Sequence, residues 1–428
     1  MAAFLGMRGT GDWPGNERPE SWREAILKIW PNGSAPLTAM LSKMKSEVAD
    51  DSKFHWWTKG LPTQRGATTI YENAALSDAY DDSDDYAAGS TVYAKVTEAV
   101  SNEFRPNHVV LLRDASDYTN DVRARVTSVV QNGASSYIAC KLLQDDGDGT
   151  GDLSDCDTIL IIGSMHPEGG TVPQTVSYSA TEHENYCQKF WNPAEMTAEQ
   201  LVTRLRTGDP WQEHLREVME LHSIEIEKAI LFGYPTSGTD PVSKKPIYST
   251  AGLLYAIQTD APLNCDDYTL NSDAAYSGMT WLQAGERWFD TYLELIFRHG
   301  ENEKMALCGS GSMLGIQRLI KNGSTFNITS QTVSYGIQVV TWTTPFGVLH
   351  LKTHPLLNQE TTNRNSMIIF EPSKLIWRYM KGMDTHKRKH NIDIHGKLES
   401  WMTVAGLEWH HAEAFGFLNG VGLDNELE

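Results

Sequence analysis

Cysteine is scarce in this chain: Cys140, Cys156, Cys187, Cys265 and Cys308 are the five thiols among 428 residues, widely spaced and never paired as CxxC. That spacing excludes a disulfide framework and a zinc ribbon, and fits reduced thiols in a cytosol. Long apolar runs are missing too. The opening, MAAFLGMRGTGDW, has no continuous apolar stretch, and nothing approaches the ~18 apolar residues of a membrane span. A soluble product that is not secreted by a classical route is expected. Positive charge is the third shortage, with 36 Lys and Arg against 55 Asp and Glu and a formal net charge of -19. High-affinity grip on a phosphate backbone, which clustered Lys and Arg supply, is therefore not expected, whereas solubility at high concentration is. Catalytic signatures are absent as well: there is no GxSxG, no HExxH, and no cysteine set beside histidine at a useful spacing. No catalytic residue, cofactor or metal ligand is assigned.

What is present is folding potential. Apolar content is 40%, with 13 Trp, 16 Tyr and 12 Phe spread along the length, too much for a disordered chain. The length suits two or three modules, since single cores rarely grow past ~250 to 300 residues. The plainest element is a helix over Asp209 to Phe232 (DPWQEHLREVMELHSIEIEKAILF). Asp209 suits the N-cap, Pro210 the first helical position, and Gly233 a left-handed stop. Leu215, Val218, Met219, His222, Ile226, Ala229 and Ile230 form one apolar stripe, with Glu213, Glu217, Glu220 and Glu227 largely off it.

Around this strut the pattern is strand-rich. Residues 1–50 read as an arm with a turn at Trp30-Pro31-Asn32-Gly33 and a short helix carrying Leu37, Met40, Leu41 and Met44. Residues 51–102, with FHWWTKGL and the acidic run SDAYDDSDDYAAGS flanked by Tyr80 and Tyr86, read as an extended excursion too polar to make a core alone. From 103 to about 163 short strands alternate with turns (HVVLLRD, VRARVTSVV, an Asn132-Gly133 hairpin, SYIACKLL, TILIIG), which predicts a small β-barrel or sandwich. Residues 235 to about 356 mix an amphipathic helix near Trp281 to Phe297, the strand KMALC, the helix SMLGIQRLI and strands on either side of Thr344-Pro345. The tail adds strands at SMIIFE, KLIWRYM and ESWMTVAGLEW.

Three local motifs invite chemistry. The loop from Asp146 to Asp157 places oxygen ligands in a calcium-loop-like order, but its twelfth position is Asp and its flanks read as strands, so an acidic hairpin loop is preferred. Gly309, Gly311 and Gly315 follow a strand and open a helix, yet the spacing is one residue longer than a dinucleotide fingerprint and no ribose-binding acid follows, so a plain turn is preferred. His386, His390 and His395 are interleaved with Lys387, Arg388 and Lys389, and neighbouring His410 and His411 point to opposite faces of a strand; a basic surface loop is preferred over a metal site.

The order of these pieces resembles the major capsid proteins of tailed phages, which share the Hong Kong 97-type fold. Six phrases carry the resemblance in order: APLTAML, MHPEGG, IEKAILFG, YGIQVVTWTTPFGVLHLKTHPLL, FEPSKLIWRYMKG and LEWHHAEAFG. The resemblance implies an α+β fold with an amino-terminal arm (1–50), an extended loop (51–102), a β-barrel insertion domain (103–165), a peripheral domain with its spine helix at 209–232 (166–234 and 361–428) and an axial domain (235–360). It implies pentameric and hexameric capsomers, packaged DNA bound without sequence preference, a portal protein, a separate scaffolding protein, and in some relatives a decoration protein. The product would be a virion component made in the host cytoplasm. Intersubunit contacts are expected at Leu37, Leu41, Trp56, Trp57, Tyr80 and Tyr86, because an arm and a loop must bury their apolar side chains against neighbours. The alternative is a cytosolic enzyme or carbohydrate-binding protein with a β-barrel domain and a convergent polar pocket.

Overall fold

The computed structural model describes residues 40–427 apart from 42–43, 61, 82–83, 85, 118–120, 147–152, 204–207, 322–326, 335–336 and 392–394, with the side chains of 327–339 also left undescribed. Leu37, the part of the expected helix before Met40 and half of the 146–157 loop (147–152) lie outside the described residues. Two compact units emerge: one comprises the chain up to Thr58 together with Glu182–Glu428, the other Lys59–Thr181.

In the first unit, the helix Pro210–Phe232 lies on a five-stranded sheet. The long strand Gly396–Trp409 is central, with Gln188–Thr197 antiparallel along one edge and, end to end along the other, Leu375–Met380 and His386–His390. Lys45–Ala49 adds in parallel beyond Leu375–Met380. The predicted stripe is the buried face, for Leu215, Val218, His222, Ile226 and Ile230 are all covered. Two details differ. Glu227 is fully buried, although it was expected off the stripe; lying three residues before Ile230, it belongs to the packed face. Gly233 has φ -58°, so its role is not a left-handed turn. A Cβ there would sit 2.4 Å from the Ala229 carbonyl oxygen and 2.5 Å from that of Thr250, so close backbone approach is what demands glycine.

A second sheet of seven strands completes this unit, in the order Cys265–Asp267, Gly416–Asn419, Met367–Phe370, Glu303–Cys308, Val348–Thr353, Ile337–Thr343 and Asn327–Ser334. The helices Trp281–Phe297 and Ser310–Lys321 supply Trp281, Trp288, Phe289, Leu293, Ile316 and Leu319 to its core. Met367–Phe370, expected among the tail strands beside the spine helix, pairs here instead, together with Gly416–Asn419, which was not expected as a strand. All four residues of MIIF are buried, the mark of an interior strand covered on both faces.

The second unit is one antiparallel seven-stranded sheet, ordered Arg65–Ala67, Thr158–Ser164, His108–Arg113, Asp121–Val130, Tyr137–Leu142, Thr91–Lys95 and Thr69–Tyr71. Its first and last strands are halves of one segment joined at Thr68, whose amide donates to Asp157 O and whose hydroxyl donates to Lys95 O. Among the described residues no ladder pairs those two end strands, so the expected barrel stands as a curled sheet. Three of the strands come from residues read as an extended excursion. There Val92, Ala94 and Val96 alternate inward and Ile70 is buried with them, so this stretch does contribute to a core.

Candidate assembly surface and buried polar clusters

Five of the six expected intersubunit residues are described, and they separate into different environments. Trp56 and Trp57 are neighbours on the strand Lys53–Thr58, so their side chains leave opposite faces. Trp56 is 5% exposed and packs edge-on against Trp409 at 4.8 Å, inside the core beneath the spine helix, whereas Trp57 is 65% exposed. Leu41 is half-buried against that same core. Tyr80 is 6% exposed; its hydroxyl donates to Asp146 and its ring meets Tyr86 edge-on at 5.2 Å. Tyr86 is half-buried, with its hydroxyl donating to Glu72. Trp56 and Tyr80 are buried within their own chain, so their large faces are already covered there. Among the described five, Trp57 alone presents a broad apolar face.

Beneath the surface lie polar groups that the pattern did not reveal. Glu227 Oε1 accepts the backbone N–H of Met40 at 2.9 Å and stands 3.3 Å from His354 Nε2, with both side chains fully buried. His354 Nδ1 accepts the amide of Leu356, which caps the short helix Pro355–Gln359. Burial raises the Glu227 carboxyl above its ordinary range despite the hydrogen bond and charge of His354. Lys304, buried in the seven-stranded sheet, donates to the carbonyls of His299 and Ala414 at 2.9 Å and faces Glu371 at 3.7 Å; burial lowers its pKa. His222, held between Asn192 and Thr403 at 2.6 and 2.8 Å, is pushed down by burial and is a neutral core histidine. Position in the apolar stripe was the available signal for Glu227, while nothing local marks Lys304.

These clusters tie elements together and offer no reacting atoms to solvent. The motifs singled out for chemistry resolve similarly. Cβ atoms at Gly309 and Gly315 would meet Arg364 O at 2.2 Å and Gly422 Cα at 2.5 Å, so those glycines serve close packing of a strand-to-helix turn. His386–His390 is an edge strand and not a loop, with His386 on Asp384 O, His390 on Ser400 and His395 beside Glu199. Among the described residues no group of three or more His, Cys, Asp or Glu could hold a metal ion, and no helix is long and apolar enough to cross a membrane. None of the five thiols is in a disulfide, and burial pushes Cys140 and Cys308 up to about 12 and Cys187 and Cys265 up to about 11, which makes those four poor nucleophiles.

Comparison with known proteins supplies what the geometry leaves open. Residues 7–422 match the family described as SU10 major capsid protein. The chain is similar to the major capsid protein of Pseudomonas phage PaMx41, 23% identical over 387 residues that span 89% of this chain and 84% of the relative. Among solved structures it is similar to one from Mycobacterium phage Bobi, at 9% identity and a TM-score of 0.45 over 95% of this chain and 96% of that one. It is also similar to the capsid of Myoviridae phage XM1, at 10% identity and a TM-score of 0.40 over 94% and 96% of the two chains.

Proposed function

Starting from the fact that this chain belongs to the SU10 major capsid protein family, we propose that it self-assembles as pentamers and hexamers into the icosahedral head enclosing the double-stranded DNA genome of a tailed phage. The observation that carries the proposal is the extent of the match, which runs over residues 7–422 of 428 and so takes in both compact units. The α+β architecture supports a Hong Kong 97-type reading. In it Pro210–Phe232 is the spine helix, the seven-stranded mixed sheet with its two amphipathic helices is the axial domain, and the curled sheet within Lys59–Thr181 is the β-barrel insertion.

The role is structural and not enzymatic: the buried pairs Glu227–His354 and Lys304–Glu371 serve as internal ties, and burial holds four of the five thiols protonated. A formal charge of -19 suits a wall that encloses DNA without gripping it, because like charge repels the phosphate backbone. Portal, scaffolding and decoration proteins are the partners of such a shell, and the site of action is the virion after synthesis in the host cytoplasm. Trp57, with 65% of its surface free, is our choice for an intersubunit contact. Negative-stain microscopy with sedimentation, on the chain expressed alone and with a scaffolding protein, tests the proposal. Closed shells or capsomers of one size class are expected; a monomer or dimer under both conditions would overturn it.

A further inference from the structure

The five-stranded sheet of the first unit has one face under the spine helix, where Trp211, Leu215 and Val218 pack with Ala194 and Trp401. Its opposite face carries an aromatic and cationic patch. Register places Trp191 opposite Met402, Met402 opposite His386, and Ser400 opposite Arg388, so these side chains share the face away from Trp401. Lys189 and His390, two residues along their strands, join them. Trp191 is 51% exposed, yet it is fixed in place: its Nε1 donates to Ser400 Oγ at 2.9 Å and the His390 ring lies 5.9 Å away. His390 Nε2 bonds the same hydroxyl at 2.7 Å, and the Lys189 ammonium sits 4.0 Å over the indole. Among the described residues neither Lys189 nor Arg388 has an ion-pair partner; Glu195 lies on the same face, and farther along it Glu47 and Glu408 are both taken up by Arg378.

We propose that this face, centred on Trp191 and flanked by Lys189 and Arg388, docks an acidic surface of a second copy of the chain. A half-exposed Trp held rigid beside Arg is the composition of an interface hot spot, since little side-chain entropy remains to be lost on binding. The occupant follows from charge. The chain carries -19 overall, so a local cluster of unpaired cations finds its complement on another copy. The neighbouring edge points the same way. His386–His390 pairs only with Gly396–Trp409 among the described residues and leaves its outer backbone groups free, with Arg388 and Lys389 exposed along it.

The inference rests on the capsid reading, and the test separates the two. Nuclease-treated wild-type chain and the Lys189→Glu/Arg388→Glu variant are compared by sedimentation velocity and negative stain, with thermal melting as the folding control. The expected result is a variant that melts like wild type but assembles at least tenfold more weakly. A folded variant that assembles as wild type does, or that loses only bound nucleic acid, overturns the inference while leaving the capsid reading intact. Failure of the wild-type chain to assemble both alone and with a scaffolding protein defeats the capsid reading and this inference with it. Oxidative footprinting of wild-type protein gives an independent readout: the peptide carrying Trp191 should be modified at least threefold more slowly in shells than in dissociated chain, and equal rates overturn the proposal.

Discussion

Glu227 places a carboxyl with no exposed surface on the packed face of a helix, where its Oε1 holds the Met40 amide and its neighbour is His354. Because burial raises its pKa above the ordinary 4.5, the folded chain binds this proton more tightly than the unfolded chain does. The stabilisation linked to it is therefore complete below 4.5 and is lost as pH rises through the folded value. Glu227→Gln keeps an oxygen for the Met40 amide and removes the titration. The melting temperature of the variant relative to wild type should accordingly climb as pH increases from 5 to 8; a constant difference across that range would refute the assignment. Lys304 and Glu371 make the complementary case. Glu371→Ala leaves a buried ammonium facing only the His299 and Ala414 carbonyls, a change that should cost about 3–5 kcal/mol in urea denaturation. Adding Lys304→Met, which removes the stranded charge, should recover most of it. Glu227 had its place in the apolar stripe as a signal, but the Lys304–Glu371 pair was not legible in the sequence, because a single charge beside an apolar run has the same local signature whether it snorkels to water or is paired across the fold.

Among the elements, periodicity was the reliable guide. The spine helix, the helix Trp281–Phe297 and the strands Glu303–Cys308, Met367–Phe370 and Leu375–Met380 all stand where apolar spacing placed them. What spacing missed was short or interrupted. Thr91–Lys95 has only five residues beside an acidic run, and Gln188–Thr197 carries Pro193 in its middle. Gln188–Thr197 is nonetheless an edge strand, with no ladder neighbour on its outer side among the described residues, which is where a sheet tolerates proline. The ends of the spine helix can be tested separately. Asp209 accepts the Trp211 amide at 2.9 Å, so Asp209→Ala should cost about 1 kcal/mol and speed hydrogen exchange in the first turn. Gly233→Ala should cost about 1–3 kcal/mol, because its methyl would press on two backbone oxygens that cannot rotate away. If Gly233→Ala proves neutral, the close approach of Ala229 and Thr250 is not what requires glycine.

At the scale of the whole molecule, module boundaries were the least legible feature, since they depend on which distant strands pair. The acidic excursion and the turn-rich strands read as separate pieces, while the structure joins them as the single unit Lys59–Thr181. Their union is visible only once Arg65–Ala67 and Thr69–Tyr71 are seen to close opposite ends of one sheet. That unit leaves and re-enters the rest of the chain through paired strands, Lys53–Thr58 and Thr181–Tyr186, with Thr58 Oγ1 2.8 Å from His183 Nε2. Entry and exit side by side are the geometry of an inserted domain, whose removal leaves a gap short enough for a few residues to bridge. The core beneath the spine helix draws on Trp56, Phe190, Trp377 and Trp409 and, among the described residues, on nothing between 59 and 181. Replacing residues 60–180 by a short Gly-Ser linker should therefore leave a chain that melts cooperatively and retains near-ultraviolet dichroism from its buried tryptophans. Loss of that signal, or a non-cooperative melt, would show that the first unit does not fold without the second.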